Sequence, residues 1–265
     1  MNKYKKKKYK RIFFKVLILL LILSDIYIVK YYSDICNAQD QSYLIERLSL
    51  KREIPNNAEP TQSEEIKTER MLKLEELQKQ NSDIIGWVEI ENTDMSFPVL
   101  QGTDNSFYMN HDYQKKYSFN GSIFLDMNYS WNPPSSNLLL YGHNMKNNTM
   151  FQGLLNYKNI GFYKLHPTIR FTTTSEDVYY EIISVLETRV FYKSEKDVFR
   201  YYNFINAENE DEYNEFINNA KKESLYDTGK TASFGEQLLT LSTCAYHVKN
   251  GRFAVIAKKA NRYGI

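Results

Sequence analysis

From Ile84 onward the chain is written in short apolar or aromatic runs, each cut off by Gly, Asn, Asp or Pro before it reaches the length of a helix. Eight such runs read as strands, at 86–90, 96–100, 121–126, 137–141, 168–172, 178–186, 237–243 and 252–258. Eight short strands over about 180 residues predict a mainly β fold, an eight-stranded closed β-barrel. One segment between the sixth and seventh runs has a different texture. It spans 206–224, is acidic at its start, and places Tyr213, Phe216, Ile217 and Ala220 on one helical face. It predicts a helix inserted into a barrel connection. The 22 tyrosines and 15 phenylalanines are scattered and serve as core and groove lining.

The N-terminal part obeys a different logic. Lys3, Lys5, Lys6, Lys7, Lys8, Lys10, Arg11 and Lys15 stand in the first fifteen residues with no acidic residue among them. An apolar stretch at 12–29 follows, whose 18 positions span roughly 27 Å as a helix, close to the hydrocarbon thickness of a bilayer. A cleaved signal peptide is the alternative, because 16–23 has the length of an h-region, but no small-x-small site follows it. Cys36 as a lipid anchor is disfavoured by the bulky, charged Ser33-Asp34-Ile35 before it. The expected organisation is a cytoplasmic basic tail (1–11), a transmembrane anchor (12–29), an extracellular spacer with an N-terminal helix (30–80) and the β-rich domain (81–265). The basic flank puts the N-terminus inside and the domain on the extracellular face of the cell membrane, single-pass. Within the spacer, Met71, Leu74 and Leu77 recur at helical spacing over 64–80. That helix either packs on the domain behind it or forms a solvated stalk.

Net charge is +2, and the tail cations exceed it, so the remaining chain carries about −6. Nucleic acid is therefore excluded as a partner, and the tail is matched to anionic lipid headgroups. With only two cysteines in 265 residues there is no disulfide framework. Neither CxxC nor HExxH occurs and the histidines are not spaced as ligands, so no metal or other cofactor is expected.

Cys244 ends one apolar run and Arg252 opens the next. If 245–251 forms the hairpin loop, thiol and guanidinium stand side by side across adjacent strand ends. A thiol that cleaves an amide needs ionisation, a proton for the leaving amine, and a donor for the oxyanion. Electropositive surroundings favour the first, histidine most often supplies the second, and arginine can hold the third. Among four histidines, His143 follows directly on Leu138-Leu139-Leu140-Tyr141-Gly142 and so sits at a strand end, whereas His111, His166 and His247 lie in polar, loop-like surroundings. His247, three residues from Cys244, is the rival. A loop is a poor support for a group that must hold its position.

Tyr141-Gly142-His143-Asn144-Met145, Asn148-Thr149-Met150-Phe151 and Thr240-Leu241-Ser242-Thr243-Cys244 with Arg252 resemble the sortase family, specifically class B. Phe97-Pro98-Val99-Leu100-Gln101-Gly102 and the segment Asn120-Gly121-Ser122-Ile123-Phe124-Leu125-Asp126 look like that class too, so the resemblance runs in order over 81–258. It implies a membrane-anchored cysteine transpeptidase of a Gram-positive cell surface. Cys244 would attack the Thr carbonyl of a C-terminal sorting signal of LPXTG or NPXTN type, giving a thioacyl enzyme. His143 would move the proton, Arg252 would steady the oxyanion, and a peptidoglycan precursor amine would accept the acyl group. By the same resemblance Asn105, Met109 and Ser242 contact the signal. Some class B members carry an acidic residue two positions after the cysteine; this chain has Tyr246 there.

Three other readings compete. An L,D-transpeptidase places histidine and arginine within a few residues of the cysteine, and a cysteine hydrolase more often places the cysteine before the histidine. A non-catalytic surface-anchored binding module would leave Cys244 inert. A thiol-directed label on the 31–265 fragment separates the enzymatic readings from the last. The expected outcome is modification of Cys244 near neutral pH, weakened in Arg252→Ala; equal labelling of Cys36 and Cys244 would remove the reason to regard Cys244 as activated.

Overall fold

A computed structural model describes residues 12–30, 33, 69–145 and 149–260. Helix α1 (Ile12–Lys30) is long and apolar enough to cross a membrane, and its side chains are exposed. It belongs to a separate unit from the barrel. Cys36, the basic tail 1–11 and positions 64–68 of the expected spacer helix lie outside the described residues.

The second unit opens with α2 (Glu69–Gln80) and continues through β1 (Ile84–Glu89), β2 (Ser96–Leu100), β3 (Ile123–Leu125), β4 (Asn137–Tyr141), α3 (Ile160–Leu165), β5 (Thr168–Thr172), β6 (Asp177–Arg189), α4 (Glu210–Lys222), β7 (Leu238–Cys244) and β8 (Gly251–Lys259). The strands close into a barrel in the order β1-β2-β3-β4-β7-β8-β6-β5. Two pairs are parallel, β2 with β3 and β4 with β7. All eight expected strands are present, with boundaries moved by a few residues. The largest change is in β6, which runs on to Arg189 because its end pairs with the start of β8, Thr188 opposite Arg252 and Arg189 opposite Gly251.

The central strands are apolar on both faces because both faces are covered. Val99, Leu125, Leu138, Leu140, Leu239, Leu241, Phe253 and Val255 fill the barrel. On the outside, Leu139, Leu238, Ala254 and Ile256 pack under Tyr213, Phe216, Ile217 and Ala220 of α4. Burying a Phe or Ile side chain stabilises by about 1.5–3 kcal/mol, so this one face is enough to hold α4 in place. The helix starts at Glu210 rather than at 206 because Asn209 caps it. The Asn209 side chain accepts from the Glu212 N–H, and Glu212 reaches back to the Glu208 N–H, both at 3.0 Å. Helix α2 lays Leu74 and Leu77 on Ile84, Leu100 and Phe124, so it is a packed helix and not a solvated stalk.

The helical stretch between β4 and β5, a 3-10 helix at Phe151–Lys158 followed by α3, had no counterpart in the expected architecture. The buried residues of the 3-10 helix, Phe151, Leu154 and Tyr157, fall at every third position, which is the 3-10 period rather than the 3.6 of an α-helix. They join the interior cluster.

The β7–β8 hairpin closes on Gly251, which belongs to β8, so the loop is one residue shorter than expected. A Cβ on Gly251 would lie 2.0 Å from the Ala245 carbonyl oxygen, which is backbone and cannot rotate away. Gly251→Ala is therefore expected to destabilise the fold by about 1–3 kcal/mol. A lower denaturant midpoint with an unchanged m-value would show it.

Candidate active site

Strand register assembles the site. In the parallel pair, Leu140 lies opposite Leu241 and Tyr141 opposite Ser242; in the hairpin, Ser242 lies opposite Ala254 and Cys244 opposite Arg252. Side chains alternate along a strand, and Leu140, Leu241 and Phe253 point into the barrel. Tyr141, Ser242, Cys244 and Arg252 therefore share the outer face of three neighbouring strands. His143 follows Tyr141 by two residues, as Cys244 follows Ser242. The strand ends are tied together by three hydrogen bonds: Gly142 N–H to the Ser242 carbonyl (3.1 Å), Thr243 hydroxyl to the Gly142 carbonyl (2.7 Å), and Asn144 amide to the Cys244 carbonyl (2.8 Å). Gly142 is required at the joint, since a Cβ would meet Ile123 Cδ1 at 2.4 Å and the Phe151 ring at 2.7 Å.

All six residues singled out from the sequence line one groove of about 250 Å³: Asn105, Met109, His143, Ser242, Cys244 and Arg252. His143 Nε2 is 2.6 Å from the Met109 carbonyl oxygen. Arg252 donates from Nη1 to the Gly251 carbonyl at 3.0 Å, and among the described residues no carboxylate pairs with it. The other three histidines are engaged elsewhere. His247 Nδ1 stands 3.4 Å from Glu187 on β6, His111 stacks on Phe107, and His166 bonds to the Glu91 carbonyl.

Two supporting groups were not assigned roles from sequence. Asp126, buried, accepts from the Asn105 amide and from the Tyr141 hydroxyl, each at 2.9 Å, while Asn105 Oδ1 accepts from the Met127 N–H. Asn105 is thus held at both ends of its amide. Asp126 closes the strand motif already noted, and its carboxylate in a run otherwise apolar from Ile123 was the available signal. Tyr201, fully buried, shares a 2.7 Å hydrogen bond with the Ser242 hydroxyl. Burial pushes the Tyr201 phenol up to about 12, against the opposing pull of Ser242 and the Arg252 guanidinium, so it stays protonated at neutral pH. Tyr201 lies in a short 3-10 turn between β6 and α4, and nothing in the sequence pattern pointed to it.

The turn that carries Met109 is anchored from behind. The Tyr108 hydroxyl donates to Asp83 at 2.6 Å and accepts from the Asn81 amide at 3.1 Å, and Lys115 pairs with Asp83 at 2.8 Å. Burial raises the proton affinity of Asp83, but the Lys115 ammonium and the Tyr108 hydroxyl outweigh it and hold the carboxyl below the usual carboxylate range.

A thiol, an imidazole and an unpaired guanidinium on neighbouring strand ends of a closed eight-stranded barrel define a cysteine acyl-transfer enzyme. A family profile described as "Sortase domain" matches residues 88–260. Sortase B of Staphylococcus aureus strain NCTC 8325 is 33% identical over 188 residues, covering 69% of this chain and 73% of the relative. The fold is similar to a structure described as a Staphylococcus aureus sortase B-substrate complex, with a TM-score of 0.64 and 30% identity over 72% of this chain and 86% of that one. It is equally similar to the X-ray structure of Clostridium perfringens sortase B, with a TM-score of 0.64 and 32% identity over 71% of this chain and 99% of that one. The chain belongs to the sortase family of cysteine transpeptidases, with relatives of the B type, and the hydrolase, L,D-transpeptidase and binding-module readings are not favoured.

Asp126→Ala should remove the common acceptor of Asn105 and Tyr141 and leave a half-buried hydroxyl unpaired, at a cost of about 1–3 kcal/mol. Asp126→Asn, which keeps one acceptor oxygen, should cost less. Thermal unfolding of the two variants side by side tests this, and equal losses would mean that the acceptor role is immaterial.

Proposed function

We propose that this enzyme cleaves a C-terminal sorting signal of NPXTN or LPXTG type after its threonine and transfers the protein to a peptidoglycan amine. Cys244 Sγ attacks the Thr carbonyl carbon, forming the C–S bond while the carbonyl electrons move onto oxygen. Collapse of that oxyanion breaks the C–N bond, and His143 gives its proton to the departing amine. The acceptor amine then attacks the thioester, His143 takes a proton from it, and breakage of the C–S bond restores the thiolate. Arg252 balances the oxyanion in both halves.

The observation that carries this reading is the common outer face of β4, β7 and β8, which presents imidazole, thiol and guanidinium to one groove in which Arg252 has no carboxylate partner among the described residues. Asn105, Met109 and Ser242 border the same groove and would contact the signal peptide. That a Staphylococcus aureus sortase B has been described in complex with its substrate supports a sorting-signal substrate for this chain. Helix α1, with the basic residues before it, would hold the enzyme in the cell membrane as a single span, with the barrel on the extracellular side.

Incubation with a panel of NPXTX and XPXTG peptides, with and without an added amine, tests the proposal by the masses of the products. Cleavage after Thr with amine-dependent transfer is expected, none with Cys244→Ala, and a loss in kcat of about 10²–10³ with Arg252→Lys or Arg252→Ala. If no peptide is cleaved in a Cys244-dependent way, the substrate assignment falls.

A further inference from the structure

His143 has, among the described residues, no carboxylate of the kind that commonly orients a catalytic imidazole. Among the described residues its ring makes one hydrogen bond, from Nε2 to the Met109 carbonyl oxygen at 2.6 Å. A carbonyl oxygen can only accept, so the shared proton sits on Nε2. The ring nitrogen whose protonation can change is then Nδ1.

That carbonyl is held in place by the fold. Met109 ends the 3-10 turn Phe107–Met109, whose Tyr108 is pinned by Asn81 and Asp83. The neighbouring Tyr108 carbonyl accepts from the Ser122 N–H at 2.9 Å. Beneath the turn lies Gly121 in the left-handed region, φ +59°, where a Cβ would stand 2.4 Å from the Met109 carbonyl oxygen itself. Among the described residues no acidic side chain competes for the role. The groove lining contains none, Asp126 is taken by Asn105 and Tyr141, and the position two after the cysteine is the exposed Tyr246.

We infer that the main-chain carbonyl of Met109 is the positioning group for His143, fixing the Nε2–H tautomer and making Nδ1 the nitrogen that gives and takes the proton. This rests on the reading of His143 as the proton-transfer group. In the first half-reaction the Nδ1 proton of the imidazolium passes to the departing amine nitrogen, leaving the neutral ring with its proton on Nε2. In the second, the incoming amine returns a proton to Nδ1. The Nε2–H···O=C bond persists throughout and strengthens when the ring is charged, because its donor is then ionised. The acceptor is neutral, so it orients the ring without adding a negative charge beside the thiol.

The test is 15N NMR of the full chain in detergent micelles with labelled histidine, the His143 signals being identified by their absence in His143→Gln. A slowly exchanging proton on Nε2 with Nδ1 unprotonated in the neutral ring is expected. A proton on Nδ1, or fast exchange between tautomers as in free imidazole, would overturn the inference. Kinetics supply a second arm. Gly121→Ala, which displaces the carbonyl, should lower kcat by about 10-fold or more and move the pH–rate limb assigned to His143. Met109→Ala keeps the carbonyl, so it should retain the tautomer and raise KM instead. Retention of the tautomer, kcat and pH profile in Gly121→Ala sinks the idea, and if that variant does not fold, the wild-type spectrum still decides. Full transfer activity in His143→Gln would defeat the proton-transfer reading while leaving the tautomer assignment standing.

Discussion

The parallel pairing of β4 with β7 is the constraint on which the site depends. Parallel strands must be joined by a long connection, and here the chain between them contains two further strands and four helical segments before it returns. That detour brings a residue near position 143 beside one near position 244 at the same end of the barrel. The β7–β8 hairpin then adds Arg252 at almost no cost in chain length. A one-residue slip in either pairing would turn the affected side chain from the groove to the interior. The bonds from Gly142, Thr243 and Asn144 across the strand ends fix the register where it matters most.

Packing on the two sides of the barrel serves the same end. Helix α4 covers the outer face of β7 and β8 nearer their other ends and stops short of Ser242 and Cys244, where Tyr201 takes over as a buried wall. On the opposite flank, α2 buries the outer face of β1 and β2 and, through Asn81 and Asp83, secures the turn bearing Met109. The groove is the strip of outer barrel surface left between these two covers. Its lining is carried on strand ends tied by hydrogen bonds and on a turn anchored from behind, which suits the proposed reaction, in which three groups must keep their places.

Much of this was legible in the sequence, for physical reasons that differ by element. The strands declared themselves because short runs of β-branched, aromatic and leucine residues end at turn formers. The α4 face was readable because one side of it is apolar at helical spacing. Cys244 and Arg252 were legible as a pair because a hairpin is local. His143 was singled out by its position at a strand end, but its closeness to Cys244 is a long-range pairing that spacing alone does not encode. The 3-10 segment at Phe151–Lys158 was missed because its period of three matches neither pattern sought. Tyr201 and the role of Asp126 were missed because they act through side-chain hydrogen bonds to residues distant in sequence, Tyr201 to Ser242 and Asp126 to Asn105 and Tyr141, which leave no periodic trace.

The electrostatics of the groove give the absence of an acidic partner a rationale. Arg252 is the one side chain with a permanent charge among the groove's lining residues. In the proposed mechanism, a carboxylate within about 4–6 Å would pair with Arg252 and draw it from the developing oxyanion, and would oppose a thiolate as well. Asp126, whose carboxylate bonds to the groove residues Asn105 and Tyr141, is buried with both oxygens engaged. Its charge is therefore spent on holding neutral groups that shape the groove. Tyr246, three-quarters exposed, adds no charge where an acid would have stood. In such a setting a backbone carbonyl is the better orienter for the imidazole, since it fixes geometry while leaving the positive field of Arg252 undiminished.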